Sequence, residues 1–433
     1  MAYPRFGCIA DDLTGAVDLA ARFQNSGFGV DLKFQAPGTA AAPNAGILVV
    51  GLKSRMKPVR EAVADFLLAL DWLSSQGCTM FYIKYSSTFD STRVGNIGPV
   101  IDAAMSRLGI DFTVACPALP SAGRTTLGGK HFVDGVPLGE SYMRYHPLTP
   151  MRNSYLVPVL QGQTAHRVGL LPHSTVTRSA SSIRRGLDQL RKNGYAIAIL
   201  DAVTDDDLNR IATACANVQL TTGSSGLALA LMRNRRRPEA SSPQSTHKRI
   251  LATRHGMQAV ISGSCSEITR IQVTTAAQRY PLMQIDPLAI AVGNDVVDSA
   301  LSWASDHLAG GPVVISSTAS PADVAKIHDL LGAQPAAMLI ERTLAAIANG
   351  LARQGVRQMI IAGGETSGAV VESLGIRTLE LGPIIDPGVC WTFGKPAFLG
   401  GRNMALALKP GNFGQPNLFI HAWNVLSASE HQA

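Results

Sequence analysis

Residues 6–20 read FGCIADDLTGAVDLA, and this stretch contains the pattern that decides the fold. Its first five residues form a short apolar run, typical of a buried strand, and the polar Thr-Gly pair that follows predicts a helix opening at Ala16. A strand, a turn and a helix in succession are the repeating unit of an α/β sheet. Two adjacent carboxylates, Asp11 and Asp12, stand where the strand should end.

The same alternation of short apolar runs with stretches of helical spacing continues along the chain, for example with helical spacing at 59–73 and 182–192. The predicted strands are GILVVGL (46–52), MFYIKY (80–85), FTVACP (112–117), RVGLLP (167–172), AIAILDA (196–202), MQAVISG (257–263), PVVISS (312–317) and RQMIIAGG (357–364). Such alternation indicates mostly parallel sheets covered by helices.

A polar segment divides this series into two halves. Residues 235–249, RRRPEASSPQSTHKR, are rich in Pro and Ser and have no periodicity, which is typical of an exposed linker. A chain of 433 residues is also too long for a single core. The sequence therefore predicts two tandem α/β domains, 1–234 and 255–433, joined by a basic linker at 235–254.

The composition, 46% hydrophobic and 16% charged, is that of a globular protein. No uncharged apolar run approaches the roughly 18 residues of a membrane span, and the N-terminus lacks the pattern of a signal peptide, so we expect a cytoplasmic protein with no membrane partner. Six cysteines occur without CxxC spacing, which favours reduced thiols over a zinc cluster or a disulfide framework.

Basic residues are concentrated near the predicted linker. Seven Lys or Arg residues and one Glu lie between 233 and 254, so this segment carries most of the net charge of +7. A nucleic-acid-binding regulator is therefore a remote alternative. Phosphate contacts would need basic residues spread over a folded face, and a charge run confined to one polar segment is usually solvated, so we expect no nucleic-acid partner.

Candidate site residues follow the predicted strands, because ligands of open α/β sheets bind beyond the carboxyl ends of the strands. Asp11 and Asp12 occupy that position in the first strand. One of them could simply cap the following helix, since Asp is a favoured N-cap residue. A single cap does not account for two carboxylates, which leaves at least one for a substrate hydroxyl or a bound cation.

Two more polar stretches follow strands in the first half. Residues 84–98, KYSSTFDSTRVGNIG, combine Lys84, Asp90 and Ser91 with further hydroxyls, a set suited to a small polyhydroxy anion. The alternative is a surface loop of Ser and Thr turns. Arg124, which precedes a probable hairpin turning at Asp-Gly 134–135, could bind a carboxylate bidentately, or form a surface ion pair.

A lone histidine, His146, lies in the extended loop HPLTPM (146–151). An isolated histidine is more often structural than catalytic, so it is not included among the predicted site residues.

Gly- and Ser-bearing turns follow three strands of the second half. The most informative is IIAGGETSGAV (360–370), in which a strand runs into two glycines and a helix begins; ISGSCS (261–266) and KPGNFG (409–414) repeat the theme. Glycines permit close backbone approach, and helix N-termini offer N–H groups to phosphate. The alternative is a set of tight βα turns. Neither GxxxxGK[ST] nor GxGxxG with a following acidic residue is present, which disfavours a Walker A loop and a dinucleotide dehydrogenase.

Taken together, these stretches resemble the four-carbon acid sugar kinase family, and most closely the branch that acts on 3-oxo-tetronate. The resemblance rests on IADDLTGAVDLA, FTVACPALPSAGRT, HFVDGVPLGES, HPLTPM, TGSSGLA, GGETSGAV, IDPGVCW and LKPGNFG, and covers nearly the whole chain. It implies ATP-dependent phosphorylation of the C4 hydroxyl of a four-carbon sugar acid, with Mg²⁺ bound by ATP and no metal-ligating residues. A threonate or erythronate 4-kinase of the same family remains an alternative, and a homo-oligomer remains open.

The resemblance also implies which residues meet which ligand, in a cleft between the two domains. Asp11 and Asp12 would be catalytic, one as the base, without the sequence deciding which. The remaining implied residues are Lys84, Asp90, Ser91 and Arg124 for the sugar acid, and Ser264, Gly363, Gly364, Glu365, Thr366 and Gly411 for ATP. Two departures from the family pattern stand near these residues: Val94 displaces a basic residue by one position, and Pro410 removes an N–H group beside the phosphate site.

Overall fold

The computed structural model describes residues 5–36, 45–146, 148–235 and 256–428. The chain divides into two compact units, Met1–Pro243 and Gln244–Ala433. Apart from residue 235, which ends a helix, the predicted linker at 235–254 lies outside the described residues.

The first unit is built on an eight-stranded sheet in which all neighbouring strands are parallel, with the order β2-β3-β1-β4-β11-β5-β10-β9. A separate antiparallel sheet contains β6, β7 and β8. The strands are β1 (Arg5–Ala10), β2 (Val30–Phe34), β3 (Ile47–Gly51), β4 (Cys78–Lys84), β5 (Thr113–Cys116), β6 (Arg124–Leu127), β7 (Lys130–Val133), β8 (Val136–Pro137), β9 (Val168–Leu171), β10 (Ile197–Leu200) and β11 (Leu220–Gly223).

Helices cover this sheet because its strands are apolar on both faces, as parallel strands usually are. On one face Phe66 and Leu70 pack with Ile9 and Ile83 in a single buried cluster. The helices are α1 (Leu13–Asn25), α2 (Val59–Ser75), α3 (Ile97–Leu108), α4 (Leu156–Gln161), α5 (His173–Val176), α6 (Ala180–Lys192), α7 (Asp205–Ala214) and α8 (Ser225–Arg235), with short 3₁₀ turns at Pro120–Ala122, Leu138–Glu140 and Tyr142–Tyr145.

The second unit contains a seven-stranded sheet with the order β13-β14-β12-β15-β18-β17-β16, parallel from β13 to β18 and antiparallel at β17 and β16. Its strands are β12 (Met257–Ser262), β13 (Leu282–Gln284), β14 (Val313–Ser316), β15 (Val356–Ala362), β16 (Thr378–Asp386), β17 (Val389–Gly394) and β18 (Met404–Lys409). Its helices are α9 (Glu267–Ala277), α10 (Pro287–Ala291), α11 (Val296–His307), α12 (Pro321–Leu331), α13 (Ala333–Gln354), α14 (Gly364–Ser373) and α15 (Leu418–Ala428), with 3₁₀ turns at Leu308–Gly310 and Ala397–Leu399.

The predicted class, α/β with mostly parallel sheets, is confirmed. One boundary is wrong: α1 begins at Leu13 and not at Ala16. The reason is that Asp12, rather than the Thr-Gly pair, caps the helix: its side chain accepts hydrogen bonds from the Gly15 N–H and from the Thr14 hydroxyl. The Asp-Gly turn at 134–135 joins β7 to β8, as predicted.

The six cysteines are all free thiols, and five of them are buried. In the parts of the chain that the structure describes, no helix is long and apolar enough to cross a membrane.

Candidate active site

Three carboxylates of the first unit converge on one guanidinium group. The Nε and Nη2 atoms of Arg55 lie 2.9 and 2.8 Å from the two carboxylate oxygens of Asp11, and Nη2 lies 2.9 Å from Asp12 Oδ1. Arg55 Nη1 is 3.8 Å from Asp90 Oδ2. We call these four residues the carboxylate cluster. Their mutual repulsion, which two adjacent Asp residues would otherwise impose, is offset by the shared cation.

The local sequence explains how Arg55 reaches the carboxylates. The segment after β3 turns back across the end of β1, where the N–H groups of Ser54 and Arg55 donate to the Asp11 carbonyl oxygen at 3.0 and 3.2 Å. The side-chain amide of Asn96 donates to the carbonyl oxygens of Ser54, Arg55 and Lys57 at 2.9 to 3.1 Å. Asn96, at the N-terminus of α3, therefore fixes the turn that carries the guanidinium group.

The two aspartates differ in what else they bind. Asp12 accepts from the Gly15 N–H and Arg55 with Oδ1 and from the Thr14 hydroxyl with Oδ2, and its side chain is 8% exposed. Burial favours a raised pKa for Asp12, but the charges of Arg55 and Lys84 outweigh it and hold the pKa below its usual value. Among the described residues, the side chain of Asp11 is bound only by Arg55, and it is 21% exposed.

Lys84, the last residue of β4, is almost completely buried, with 6% exposure. Its ammonium group occupies the space in which a side chain on Gly15 would have to fit, next to Asp12 Oδ1. Among the described residues it makes no hydrogen bond and no ion pair within 4 Å. Its charge acts on Asp12, which Arg55 already holds, so this position favours a further anion from a ligand.

Asp90 and Ser91 are also brought to this end of the sheet. Thr88 donates a hydrogen bond to Asp90 Oδ1 at 2.5 Å, and the Gln163 side chain donates to the Ser91 hydroxyl at 2.8 Å. Together with Asp11 they line a concave space of about 440 Å³ that includes its mouth to solvent. Its other lining residues form an apolar floor with a polar rim: Ile9, Leu52, Ser54, Arg55, Phe66, Ile83, Tyr85, Asn96, Ile97 and Val100.

Arg124 is held away from the cluster by its own hairpin. Its Nη2 donates to the Tyr142 hydroxyl at 3.1 Å, Nη1 donates to the Ala122 carbonyl oxygen, and Asp134 lies 3.6 Å away. The buried Nε has no hydrogen-bond partner within the described ranges. The structure therefore does not join Arg124 to the three carboxylates, although Asp90 is close enough to affect the titration of Tyr142.

His146, which the sequence analysis did not include among the site residues, lies close enough to the carboxylate cluster for the charges of Asp90 and Arg55 to affect its pKa. Its Nδ1 accepts hydrogen bonds from the Thr149 N–H at 3.1 Å and the Thr149 hydroxyl at 2.9 Å. That pattern assigns the proton to Nε2. Burial lowers the pKa of His146, while Asp90 raises it and Arg55 lowers it further, so the imidazole is a neutral donor near both groups. No sequence signal distinguished it from a structural histidine, because its tautomer depends on the Thr149 contact.

In the second unit, the three Gly- and Ser-bearing turns follow β12, β15 and β18, which are neighbours in the sheet. The Gly263 N–H donates to the Ala362 carbonyl oxygen at 3.0 Å, and the Gly363 N–H donates to the Lys409 carbonyl oxygen at 2.9 Å. The predicted nucleotide residues are therefore gathered at one edge of the sheet, where α9 and α14 begin. We call these turns the strand-end loops.

The strand-end loops pack so closely that side chains are excluded at two glycines. A Cβ on Gly363, whose φ is +118°, would lie 3.0 Å from the Thr366 hydroxyl, and one on Gly411 would lie 2.6 Å from Ser264 Oγ. Backbone groups and the hydroxyls of Ser264 and Thr366 therefore approach one another closely at these turns. Such an arrangement fits the oxygen atoms of a nucleotide phosphate.

The sequence did not single out the polar groups beneath and beside these loops. Thr318, after β14, donates to the Ser264 carbonyl oxygen at 2.9 Å. Lys409, the last residue of β18, donates to Thr269 Oγ1 and to the carbonyl oxygens of Pro410 and Gly411. A rule that inspects the final residue of each strand would have found Lys409, as it found Lys84.

No group of three or more His, Cys, Asp or Glu residues in the described parts of the chain is arranged to hold a metal ion. The carboxylate cluster is instead neutralised in part by Arg55.

Comparisons with known proteins match each half of the chain to a different family model. Residues 6–231 match a family described as a sugar-binding N-terminal domain, and residues 259–419 match one described as a nucleotide-binding C-terminal domain. The chain is 47% identical to a 3-oxo-tetronate kinase of Burkholderia multivorans, with 98% of each chain covered. It is 46% identical to a 3-oxo-tetronate kinase of Cupriavidus necator, covering 97% of this chain and 96% of the relative.

Solved structures of similar proteins share the fold. A Salmonella typhimurium protein superimposes with a TM-score of 0.78 at 38% identity, covering 96% of this chain and 98% of that one. A Haemophilus influenzae protein gives a TM-score of 0.69 at 36% identity, covering 96% and 99% of the two chains.

Proposed function

This chain belongs to the four-carbon acid sugar kinase family, and from that premise we propose that its substrate is 3-oxo-tetronate, phosphorylated at the C4 hydroxyl to give 3-oxo-tetronate 4-phosphate. The protein is an enzyme, an ATP-dependent kinase of sugar acids. The choice of 3-oxo-tetronate is supported by relatives that carry this name and cover nearly all of the chain. The observation that carries the reaction chemistry is the carboxylate cluster beside the buried ammonium group of Lys84.

We assign residues 1–234 to the sugar acid and residues 255–433 to the nucleotide, with 235–254 as the linker. The family descriptions support this division, as do the charged groups of the first unit and the closely packed Gly- and Ser-bearing loops of the second. Phosphoryl transfer requires the hydroxyl oxygen and the γ-phosphorus to approach to about 3–3.5 Å, so both units have to take part in each turnover.

In this mechanism the C4 hydroxyl oxygen forms a bond to the γ-phosphorus while the bond from that phosphorus to the β-phosphate oxygen breaks. The hydroxyl proton passes to a carboxylate, and ADP leaves. Asp11 is the better base because its oxygens are bound only by Arg55, so each retains acceptor capacity, and because it lines the pocket. Asp12, occupied at both oxygens, acts as a positioning residue for α1 and Arg55.

The substrate carboxylate is assigned to Lys84, whose ammonium group is buried and donates no hydrogen bond within the described residues. Asp90 and Ser91 then hydrogen-bond the sugar hydroxyls from the pocket rim, and His146 donates from Nε2. Arg124 is assigned to the sugar acid on the family pattern alone, because its side chain is held by Tyr142 and its Nε–H is buried.

ATP is assigned to the strand-end loops, with Ser264, Thr366 and Glu365 beside the glycines 363, 364 and 411. The residues present fit the phosphates through N–H groups and hydroxyls. Mg²⁺ bound to the β- and γ-phosphates would supply charge neutralisation in the transition state, as it does when bound mainly through substrate phosphates.

The proposal is tested by measuring ADP release with freshly prepared 3-oxo-tetronate, threonate and erythronate of both configurations, followed by NMR assignment of the phosphorylated carbon. We expect 3-oxo-tetronate to have a kcat/KM at least about 10-fold above the others, a difference of about 1.4 kcal/mol. A higher kcat/KM for threonate or erythronate would overturn the substrate assignment, and phosphate on C2 would overturn the C4 assignment.

A further inference from the structure

Lys409 is the most deeply buried charged side chain of the second unit among the described residues, with 0% exposure. Its Nζ lies 3.0 Å from Thr269 Oγ1, 3.0 Å from the Pro410 carbonyl oxygen and 2.7 Å from the Gly411 carbonyl oxygen. Three acceptors match the three protons of an ammonium group, and an amine could satisfy only two of them as a donor. All three acceptors are neutral, so none supplies a negative charge.

The elements around Lys409 carry several ionisable side chains. They are Glu267 and Arg270 on α9, Glu365 and Glu372 on α14, Arg357 on β15, Asp386 at the end of β16 and His421 on α15. Within the described ranges, no carboxylate forms an ion pair with Lys409. Burial therefore lowers its pKa to about 7, in opposition to the hydrogen-bond geometry, which favours the charged form.

Lys409 also lies directly behind the strand-end loops. Its carbonyl oxygen accepts from the Gly363 N–H, and its ammonium group binds the Gly411 carbonyl oxygen, to which Ser266 Oγ also donates at 2.6 Å. Lys409 therefore joins the strand-end loop at Gly363 to the one at Gly411. An anion bound on the outer side of these loops would be the missing counter-charge of the ammonium group on the inner side.

We propose that Lys409 is the buried counter-charge of the bound nucleotide phosphates, and that nucleotide binding drives the uptake of a proton by this side chain. The inference rests on the proposed function, since it assumes that the strand-end loops hold the nucleotide. Lys409 is a positioning residue in this scheme: it touches the loops and not the phosphates. Charges in a buried site are weakly screened, so the polyphosphate stabilises the ammonium form and the ammonium form strengthens nucleotide binding by the same factor.

Proton uptake gives a signature that a purely structural lysine would not produce. At pH 8 a group whose pKa is about 7 is mostly deprotonated before binding. Ordinary histidines and terminal phosphates have already lost their protons at this pH. If binding raises the pKa of Lys409 by about two units or more, more than about half a proton per nucleotide is taken up at pH 8. The uptake should decline below pH 6, where Lys409 is already charged.

The experiment is isothermal titration calorimetry of the full-length protein with a non-hydrolysable ATP analogue and Mg²⁺, at pH 8 in two buffers of different ionisation enthalpy. The variants are Lys409→Met, which keeps a linear side chain without the charge, and Lys326→Met as the matched control. Lys326 has a side chain 75% exposed and pairs with Asp323 on the surface of α12. We expect uptake in the wild type and in K326M, none in K409M, and a Kd at least about 10-fold weaker in K409M.

Wild-type binding without proton uptake at pH 8 would overturn the inference and leave the proposed function standing, as would uptake that persists in K409M. A wild type that binds no nucleotide would overturn the proposed function and the inference with it. Should K409M fail to fold, Lys409→Arg takes its place: a guanidinium group is already charged at pH 8, so nucleotide should bind without proton uptake, and uptake that persists in K409R would overturn the inference.

Discussion

Both units place their polar groups at the carboxyl ends of parallel strands, but they hold these groups by different means. In the first unit, Arg55 fixes charged side chains through ion pairs. In the second, the strand-end loops are fixed by backbone hydrogen bonds, hydroxyls and one buried ammonium group without a carboxylate partner in the described structure. We therefore expect removal of a charge to impair catalysis or stability at the first site, and addition of a side chain to impair nucleotide binding at the second.

The largest effect is expected from Asp11→Asn, which keeps the shape of the cluster but removes the proton acceptor. We expect kcat/KM to fall by about 10²- to 10⁴-fold, while binding of a nucleotide analogue to the second unit is unchanged. The matched control is Asp111→Asn, which removes a carboxylate from an exposed pair with Arg191. Turnover of D11N near that of the control would mean that Asp11 is not the base.

The second-largest effect is expected from removal of Arg55, the cation shared by the three carboxylates. Arg55→Met leaves three carboxylates, one of them buried, without their common partner, and we expect the free energy of unfolding to fall by about 3–5 kcal/mol. Arg107→Met is the control, because its pair with Asp71 is about half exposed and should contribute at most about 1 kcal/mol. Urea titration of both variants measures the difference. Equal losses would show that the cluster is not held by charge.

The two units should also differ in how the free energy of unfolding depends on pH, because the first unit contains a buried neutral histidine, His131. His131 donates from Nε2 to the Ser87 carbonyl oxygen and accepts at Nδ1 from the Thr126 hydroxyl, which ties the small sheet to the loop before Asp90. Burial lowers its pKa to about 4. The unfolded chain binds a proton from about pH 6.5 downwards and the folded chain does not, so stability present above pH 6.5 is lost as the pH falls to about 4, by up to about 3 kcal/mol.

His131→Gln should remove this part of the pH dependence, whereas His166→Gln, at an exposed position, should retain it. The check is the free energy of unfolding of each variant from urea titrations at pH 6.5, 5.5 and 4.5. A wild-type slope that is identical in H131Q would contradict the assignment. Burial lowers the pKa of Lys409 to about 7, so this side chain is already mostly protonated at pH 6.5, and most of the effect belongs to the first unit.

The smallest effect is expected from one added methyl group in the second unit. Gly363→Ala places a Cβ 3.0 Å from the Thr366 hydroxyl, at a φ of +118°. Gly311→Ala is the matched control, since its φ is +133° and nothing lies within 4 Å of the new Cβ. Both should lose about 1–3 kcal/mol of stability through backbone strain, but only G363A should weaken nucleotide binding, by about 10-fold. Calorimetry that finds equal nucleotide affinities would place the phosphates elsewhere.

Much of the fold was predictable because buried parallel strands are short apolar runs. The run at 46–52 became β3 and that at 357–364 became β15, each within a few residues. Strands with exposed residues gave no such signal: β13 has only three residues, none of them buried, and β16 alternates irregularly where it pairs with β17. The start of α1 was misjudged because side-chain capping by Asp12 is decided by geometry that periodicity does not record.

The site was predictable where a residue directly follows a strand, and not where the chain folds back. Asp11 and Lys84 stand at strand ends in the sequence. Arg55 lies four residues beyond β3, and only the turn held by Asn96 brings it to Asp11. Arg124 begins β6, eight residues beyond β5, and its hairpin directs it to Tyr142. The position of a residue next to a strand end thus predicts where the site lies. Which side chains belong to the site depends on tertiary hydrogen bonds.

The positions of the cysteines allow the strand-end loops to be labelled selectively with a thiol reagent. Five of the six cysteines are buried, and the sixth, Cys265, is half-buried within the turn after β12, where its Sγ accepts a hydrogen bond from the Ala319 N–H. Burial raises the pKa of the Cys265 thiol, so alkylation should be slow at neutral pH and accelerate as the solution becomes alkaline. A maleimide dye would then attach at this turn in preference to the other five positions, and would report occupancy of the loops by fluorescence in the unmodified sequence.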